Sequence, residues 1–169
     1  MNIGVTGHRK LPGQADWNWV EMSMRRELVS LSPKALVAVT CLAIGADQLF
    51  ARLVVAAGGQ IQAVLPFADY LRTFAPLEQL AYRQLLFRSR VEILTIPGTD
   101  EDAYLAAGCR VVDQSDLLFI IWDGLLAKGK GGTADVAAFA AEREIPRVHF
   151  NPRTRTVVRC GSLSGLWRD

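Results

Sequence analysis

A three-layer, Rossmann-like α/β domain with a mostly parallel central sheet of about six or seven strands is predicted by two features of the sequence. Short apolar segments alternate with helical patterns along almost the whole chain. No linker, internal repeat or low-complexity block interrupts that alternation. Parallel strands need crossover connections, which are right-handed, so alternation of this kind implies a sheet covered by helices on both faces.

The elements follow in order. "NIGVTG" is a short apolar strand ending in glycine. From Ala15 to Leu31, Trp17, Val20, Met24, Leu28 and Leu31 recur at three- and four-residue steps and make one apolar helical face. "KALVAVTCLA" reads as a buried strand, and "IGADQLFARLVVAAGG" as a helix closed by a glycine pair. "QIQAVLPF" is a third strand stopped by Pro66. "ADYLRTFAPLEQLAYRQLLFRS" is helical, with Pro76 suited to the first turn of its second half. "VEILTI" is a fourth strand, and the acids of "DEDAYLAAGCRVVDQS" suit a helix start. "DLLFIIWD", the most hydrophobic strand, is expected near the sheet centre. "TADVAAFAAERE" is a helix and "PRVHF" a sixth strand. Residues 1–150 are expected to form the domain. Residues 151–169 are expected to form an extension packed on it or partly flexible, with an edge strand at Thr156–Arg159.

Composition narrows the functional classes. Of 169 residues, 50% are hydrophobic and 21% charged, which supports a packed core and excludes a disordered chain. The net charge of +2 does not call for a polyanionic partner, and only Pro152–Arg168 is visibly basic. Three widely spaced cysteines without a C-x-x-C pair, and only two histidines, argue against structural zinc. No apolar run reaches the roughly 20 residues of a membrane helix. Free thiols and a start without a signal peptide lead to the expectation of a cytoplasmic protein with no membrane, metal or cofactor requirement.

In doubly wound sheets ligands bind beyond the carboxyl ends of the strands, so residues at strand exits carry the functional information. The first exit, "TGHRK", lacks the dinucleotide fingerprint G-x-G-x-x-G. It still offers Thr6, Gly7, His8 and Arg9, either to a ligand or to a strand-ending turn. "AIGAD" puts Gly45 at a helix start and Asp47 in its first turn, where the acid suits the helix dipole or a ribose hydroxyl. Asp69 in "PFADY" suits an N-cap, and Asp116 a turn. The fifth exit is richest: Gly124, Gly129, Gly131 and Gly132 separate the best strand from a good helix. Thr133 is placed as N-cap or phosphate ligand, and Asp135 points back from the first turn. Gly124–Lys130 reads G-x-x-x-x-G-K, but Gly131 stands where a P-loop needs Ser or Thr for magnesium, and the loop follows the fifth strand. A P-loop is therefore rejected.

The blocks "GVTGHRKL", "LAIGADQLFA", "VLPFADYLRTF", "VVDQSDLLFIIWDG" and "GKGGTADVAAFAAEREIP" together resemble the SMF/DprA–LOG (SLOG) superfamily, over nearly the whole chain to about Phe150. The resemblance implies a Rossmannoid fold and a nucleotide-type ligand whose phosphate lies on the glycine-rich loop. One branch, LOG, hydrolyses nucleoside 5′-monophosphates and carries the loop P-G-G-x-G-T-x-E-E. Here Gly129, Gly132 and Thr133 match, Lys128 and Lys130 replace the proline and second glycine, Asp135 stands for the first glutamate, and Val136 replaces the second.

The leading expectation is a nucleotide-binding domain. Phosphate would sit on Gly131, Gly132, Thr133 and the helix they open, assisted by Arg9 and Lys130, with Gly7, Gly45 and Gly129 lining the site. Asp47 or Asp123 would hold ribose hydroxyls. The alternative is a LOG-like hydrolase in which Asp135 stabilises charge and His8 supplies a proton. Single-stranded DNA binding, the property of the DprA branch, ranks third, because Arg83, Arg88 and Arg90 on one helix offer little of a basic, aromatic-lined groove. A homodimer or larger assembly is expected from the resemblance alone.

Overall fold

The computed structural model describes residues 1–31, 35–125 and 131–161. Its elements are β1 (Asn2–Gly7), α1 (Gln14–Leu31), β2 (Val37–Thr40), α2 (Ala46–Ala56), β3 (Gln60–Leu65), a 3-10 turn (Tyr70–Thr73), α3 (Pro76–Phe87), β4 (Ser89–Ile93), α4 (Asp100–Asp113), β5 (Leu117–Ile121), α5 (Thr133–Glu142), β6 (Arg147–Asn151) and β7 (Thr156–Cys160). One sheet in the order β4-β3-β2-β1-β5-β6-β7 runs through the molecule. All its pairings are parallel except β6 with β7. The fold is thus a Rossmann-like α/β fold with a mostly parallel seven-stranded sheet.

The two apolar faces of β5 show how the layers form. Side chains alternate across a strand. Leu117, Phe119 and Ile121 pack with Val20, Met24 and Leu28 of α1 and Phe50 and Leu53 of α2. Leu118 and Ile120 pack on the other side with Val111 and Val112 of α4 and Val136 and Ala140 of α5. Both faces of β5 are therefore buried, which explains its unbroken hydrophobic run. A third cluster around Tyr70, Phe74, Tyr82 and Leu85 fills the space against β3.

β5 lies in the interior as expected, directly beside β1, which holds the middle position. Several other elements differ from their sequence expectation. The middle helical segment divides into the 3-10 turn and α3, because Pro76 at the first position of α3 restarts the helix. The β4 ladder begins at Ser89 and ends at Ile93, so Arg90 lies on an edge strand while Arg88 ends α3 and Arg83 lies inside it. Asp69 occupies the N-cap position of the 3-10 turn without capping it; its carboxylate pairs with Arg72 at 3.1 Å. Asp116 accepts the Asn2 amide at 2.7 Å and so ties the turn to the start of β1. The C-terminal strand extends to Cys160 and is clamped to α1 by a forked pair from Arg159 to the buried Glu27, at 2.9 and 3.0 Å.

Gly45 opens α2 in a backbone conformation (φ 88°, ψ −118°) that L side chains rarely adopt. A Cβ there would lie 2.5 Å from the His8 carbonyl oxygen and 2.6 Å from that of Arg9. Gly58 shares the positive φ but has open space around it. In urea denaturation, Gly45→Ala is therefore expected to destabilise by about 1–3 kcal/mol, and by more than Gly58→Ala, which carries the backbone strain alone. Equal losses would mean that the close approach contributes nothing.

Candidate functional site

β1 and β5 are neighbours, yet the chain leaves β1 toward α1 and β5 toward α5 on the opposite face. This is the point where the strand order reverses and where doubly wound sheets open a crevice. The pairing continues one residue past β1, through a 2.9 Å hydrogen bond from the His8 amide to the Ile121 carbonyl. The turn after β1 then crosses to α2, where the His8 carbonyl accepts the Ala46 amide at 3.1 Å. Gly7 and Gly45 make this crossing possible. A Cβ on Gly7 would meet Ala46 and Ile121 at 2.7 Å. Both glycines are thus required for backbone packing, and Gly7 also lines both cavities described next.

Two cavities flank this crossing. An inner cavity of about 490 Å³ is lined by Thr6, Cys41, Asp47, Tyr70 and Tyr104, among others, and reaches the loop at Gly131. An outer cleft of about 720 Å³ is lined by His8, Lys10, Trp122, Asp123 and Arg153, among others, and reaches Ala134. Gly7, Arg9, Gly132 and Thr133 line both. The shared wall is therefore the exit of β1 together with the N-terminus of α5.

The α5 N-terminus has a distinct construction. Gly132, not Thr133, is the N-cap residue; Thr133 is the first helical residue and its side chain makes no capping bond. Asp135 closes the loop instead: its Oδ2 accepts the Gly131 amide at 2.8 Å. Gly131 has φ 81°, and a Cβ on it would lie 2.8 Å from the Leu105 amide nitrogen, so this residue packs against α4. Gly132 accepts the Asp135 and Val136 amides at 3.1 and 3.3 Å. The amides of Gly132, Thr133 and Ala134 have no acceptor among the described residues. Gly129 and Lys130 lie outside the described residues.

The charged groups divide between the cavities. In the inner one, Asp47 is 5% exposed; its Oδ2 accepts the Thr40 hydroxyl at 2.9 Å and the Cys41 amide at 3.1 Å. Burial pushes its pKa from 3.8 up to about 6, against the opposing pull of those bonds, the Ala43 amide and Arg9. Burial, reinforced by the Asp47 charge, also pushes the Cys41 thiol up, so it stays protonated. Arg9 is exposed and has no hydrogen bond or ion pair among the described residues.

In the outer cleft the His8 Nε2 accepts the Asp123 amide at 3.1 Å when neutral. Once protonated, the same nitrogen faces the Asp123 Oδ1 at 3.3 Å. Partial burial raises the Asp123 carboxyl, but the Leu125 amide and the His8 imidazole outweigh it and hold the acid below its ordinary range. The two groups expected to share catalysis are not brought to one cavity: His8 lines the outer cleft, and Asp135 lines neither. Among the described residues no three acidic, histidine or cysteine side chains gather as a metal site. None of the described helices is long and apolar enough to cross a membrane.

Sequence reasoning missed Tyr70, Tyr104 and Trp122. Tyr104 had a signal: it falls at helical spacing with the buried Ala107 and Val111 of α4. Trp122 follows β5 directly, and its indole N–H donates to the Leu125 carbonyl at 2.8 Å.

No family model matches the chain, and no curated protein matches it. Among solved structures it is similar to the DNA processing protein A (DprA) of Streptococcus pneumoniae, with a TM-score of 0.64 and 20% identity. The likeness covers 88% of this chain and 49% of that one, so the chain spans about half the length of the DprA chain. It supports the Rossmann-like α/β fold, shared with the matched part of that chain.

Asp47 makes stability depend on pH in a defined direction. Its folded pKa of about 6 lies above the ordinary 3.8, so between these values the folded state binds more protons than the unfolded one. Its contribution is therefore lost as pH rises through that window, by on the order of 3 kcal/mol at most. Urea denaturation of wild type and Asp47→Asn from pH 3.5 to 7.5 is expected to show this fall only in the wild type. A difference between the two that stays flat with pH would refute the assignment. The Asp135 clamp is tested separately: Asp135→Ala is expected to cost about 1 kcal/mol while the fold is kept.

Proposed function

We propose that this chain is a SLOG-like domain that binds a nucleotide or nucleotide-derived ligand, with a phosphate on Gly132, Thr133 and the α5 N-terminus. One observation carries this reading. The amides of Gly132, Thr133 and Ala134 have no acceptors among the described residues, and Gly132 and Thr133 line both cavities together with Arg9, whose guanidinium has no partner among those residues. A helix N-terminus attracts an anion through its free N–H groups and its dipole, and a guanidinium adds charge-assisted hydrogen bonds. Asp123 at the rim and Asp47 within are suited to ribose hydroxyls, and Tyr104 offers a ring to a base. Self-association, implied by the resemblance, is supported by the exposed α3 stripe Leu77, Leu80 and Phe87.

Binding is preferred over hydrolysis because the Asp135 carboxylate is engaged with the Gly131 amide and lines neither cavity. An acid held away from the ligand cannot stabilise an oxocarbenium-like centre on it. A second reading, binding of single-stranded DNA, is favoured by the fold likeness to a DNA processing protein. Fluorescence anisotropy with a labelled oligonucleotide at low salt tests it, and binding should weaken steeply as salt rises.

AMP present at about 100 times its dissociation constant is expected to stabilise the fold by about 2.7 kcal/mol, visible as a raised Tm. Arg9→Ala should weaken AMP binding about ten- to hundredfold, the loss of one charged hydrogen-bonding partner. Adenosine, which lacks the phosphate, should bind far more weakly than AMP. Equal affinity for adenosine and AMP would remove the phosphate assignment, and retention of AMP without release of adenine separates binding from hydrolysis.

A further inference from the structure

The site has one anion-binding wall and a cavity on each side of it. A mononucleotide has a ring on only one side of its phosphate, so it would leave one of these spaces empty. Both spaces are lined by polar and aromatic side chains. In the inner cavity Tyr70 is 4% exposed, yet its hydroxyl has no hydrogen-bond partner among the described residues. No fully buried side-chain polar atom among those residues lacks a partner, so this hydroxyl opens on the cavity that Tyr70 lines. A hydroxyl that opens on the cavity can donate to, or accept from, a ligand atom placed there. Beside it the Tyr104 ring, 6.1 Å from that of Tyr70 between centroids, offers a stacking face.

The outer cleft has its own aromatic floor and its own cations. The Trp122 indole is fixed by its bond to the Leu125 carbonyl and lies 5.7 Å from the His149 ring. Lys10 and Arg153 also line this cleft, and neither has an ion-pair partner among the described residues. At 490 and 720 Å³, each space alone is on the scale of a small-molecule site.

From these observations we propose that the ligand consists of two ring-bearing halves joined through phosphate. One ring enters the inner cavity, stacks on Tyr104 and hydrogen-bonds the Tyr70 hydroxyl. The linking phosphate lies on Arg9 and the amides of Gly132 and Thr133. The second half rests against Trp122, with Lys10 and Arg153 toward its remaining negative charge. The inference rests on the nucleotide reading above and specifies its ligand class. The joined halves can come from a phosphodiester, as in a nucleic-acid strand, or from a soluble pyrophosphate-linked dinucleotide.

Isothermal titration of the full chain with AMP, adenylyl-3′,5′-adenosine and diadenosine pyrophosphate tests it. At least one joined ligand is expected to bind ten times or more tighter than AMP. Trp122→Ala should abolish that gain and leave AMP affinity within about twofold, whereas Tyr104→Ala should weaken all three. If Trp122→Ala fails to fold, the exposed Arg153→Ala substitutes for it and should reduce affinity for the joined ligand alone. Preference for the phosphodiester points to a strand, and preference for the pyrophosphate to a soluble dinucleotide. If AMP binds and neither joined ligand exceeds it, the two-part ligand is overturned while the nucleotide reading stands. If none of the three binds, both fall.

Discussion

The adjacency of β1 and β5 governs the rest of the structure. Parallel pairing from Ile3–Leu117 to Gly7–Ile121 brings two strand exits side by side, while their connections depart to opposite faces of the sheet. No helix can cover the gap this leaves, so it stays open as a crevice. Its walls are then fixed by close packing. Gly7 lets β1 end against Ala46 and Ile121, and Gly45 lets the His8–Arg9 backbone pass directly over the start of α2. Arg9 is consequently carried onto the ridge between the two cavities. Side chains at Gly7 or Gly45 would push that ridge away from the α5 N-terminus and separate the cation from the free amides.

The loop before α5 is held by the same logic on the other face. Gly131 rests against α4, and Asp135 reaches back to its amide, so the first turn of α5 is fixed before any ligand arrives. The α4–α5 contact reinforces this: Gly108 leaves room for the Val136 side chain, which a Cβ would strike. For an anion bound there as proposed, this pre-set loop would avoid the ordering cost that a mobile one would have to meet. The carboxylate that closes the loop is engaged with the Gly131 amide and lines neither cavity. That division of labour is the physical reason to favour recognition over chemistry.

The fold was largely legible because its signals are additive. β2 and β5 are unbroken short apolar runs apart from a closing Thr40, β1 and β3 are largely apolar, and each helix either repeats apolar residues at helical spacing or is rich in alanine. Misplacements came where local and tertiary preferences compete. Pro76 divides a segment whose composition is helical throughout, and β4, an edge strand with exposed Val91 and Ile93, loses its ladder early. The order of strands cannot be read from hydrophobicity alone, because β1 and β5 are both interior and only pairing distinguishes them. The site was legible by position and less so by role. Strand-exit logic located Arg9, Asp47, Asp123 and Gly131–Thr133 around one crevice. It could not tell a glycine needed for a ligand from one needed for packing, since both leave the same letter.

Asp47 illustrates why a role cannot be read from residue type. An acid in the first turn of a helix usually faces solvent and gains a little from the helix dipole. Here the first turn of α2 is pressed against the exit of β2, and the carboxylate turns inward to accept the Thr40 hydroxyl and the Cys41 amide. The Thr40 Oγ1 in turn accepts the Leu42 amide at 3.0 Å, so one acid organises the whole exit. Leu42 adopts a positive φ of 56° within that turn. Such a conformation costs energy for a non-glycine residue and persists only where its surroundings over-determine it. The buried carboxylate supplies that constraint. Because Arg9 lowers the cost of its charge, an anion bound to Arg9 would partly cancel this help and favour the protonated acid.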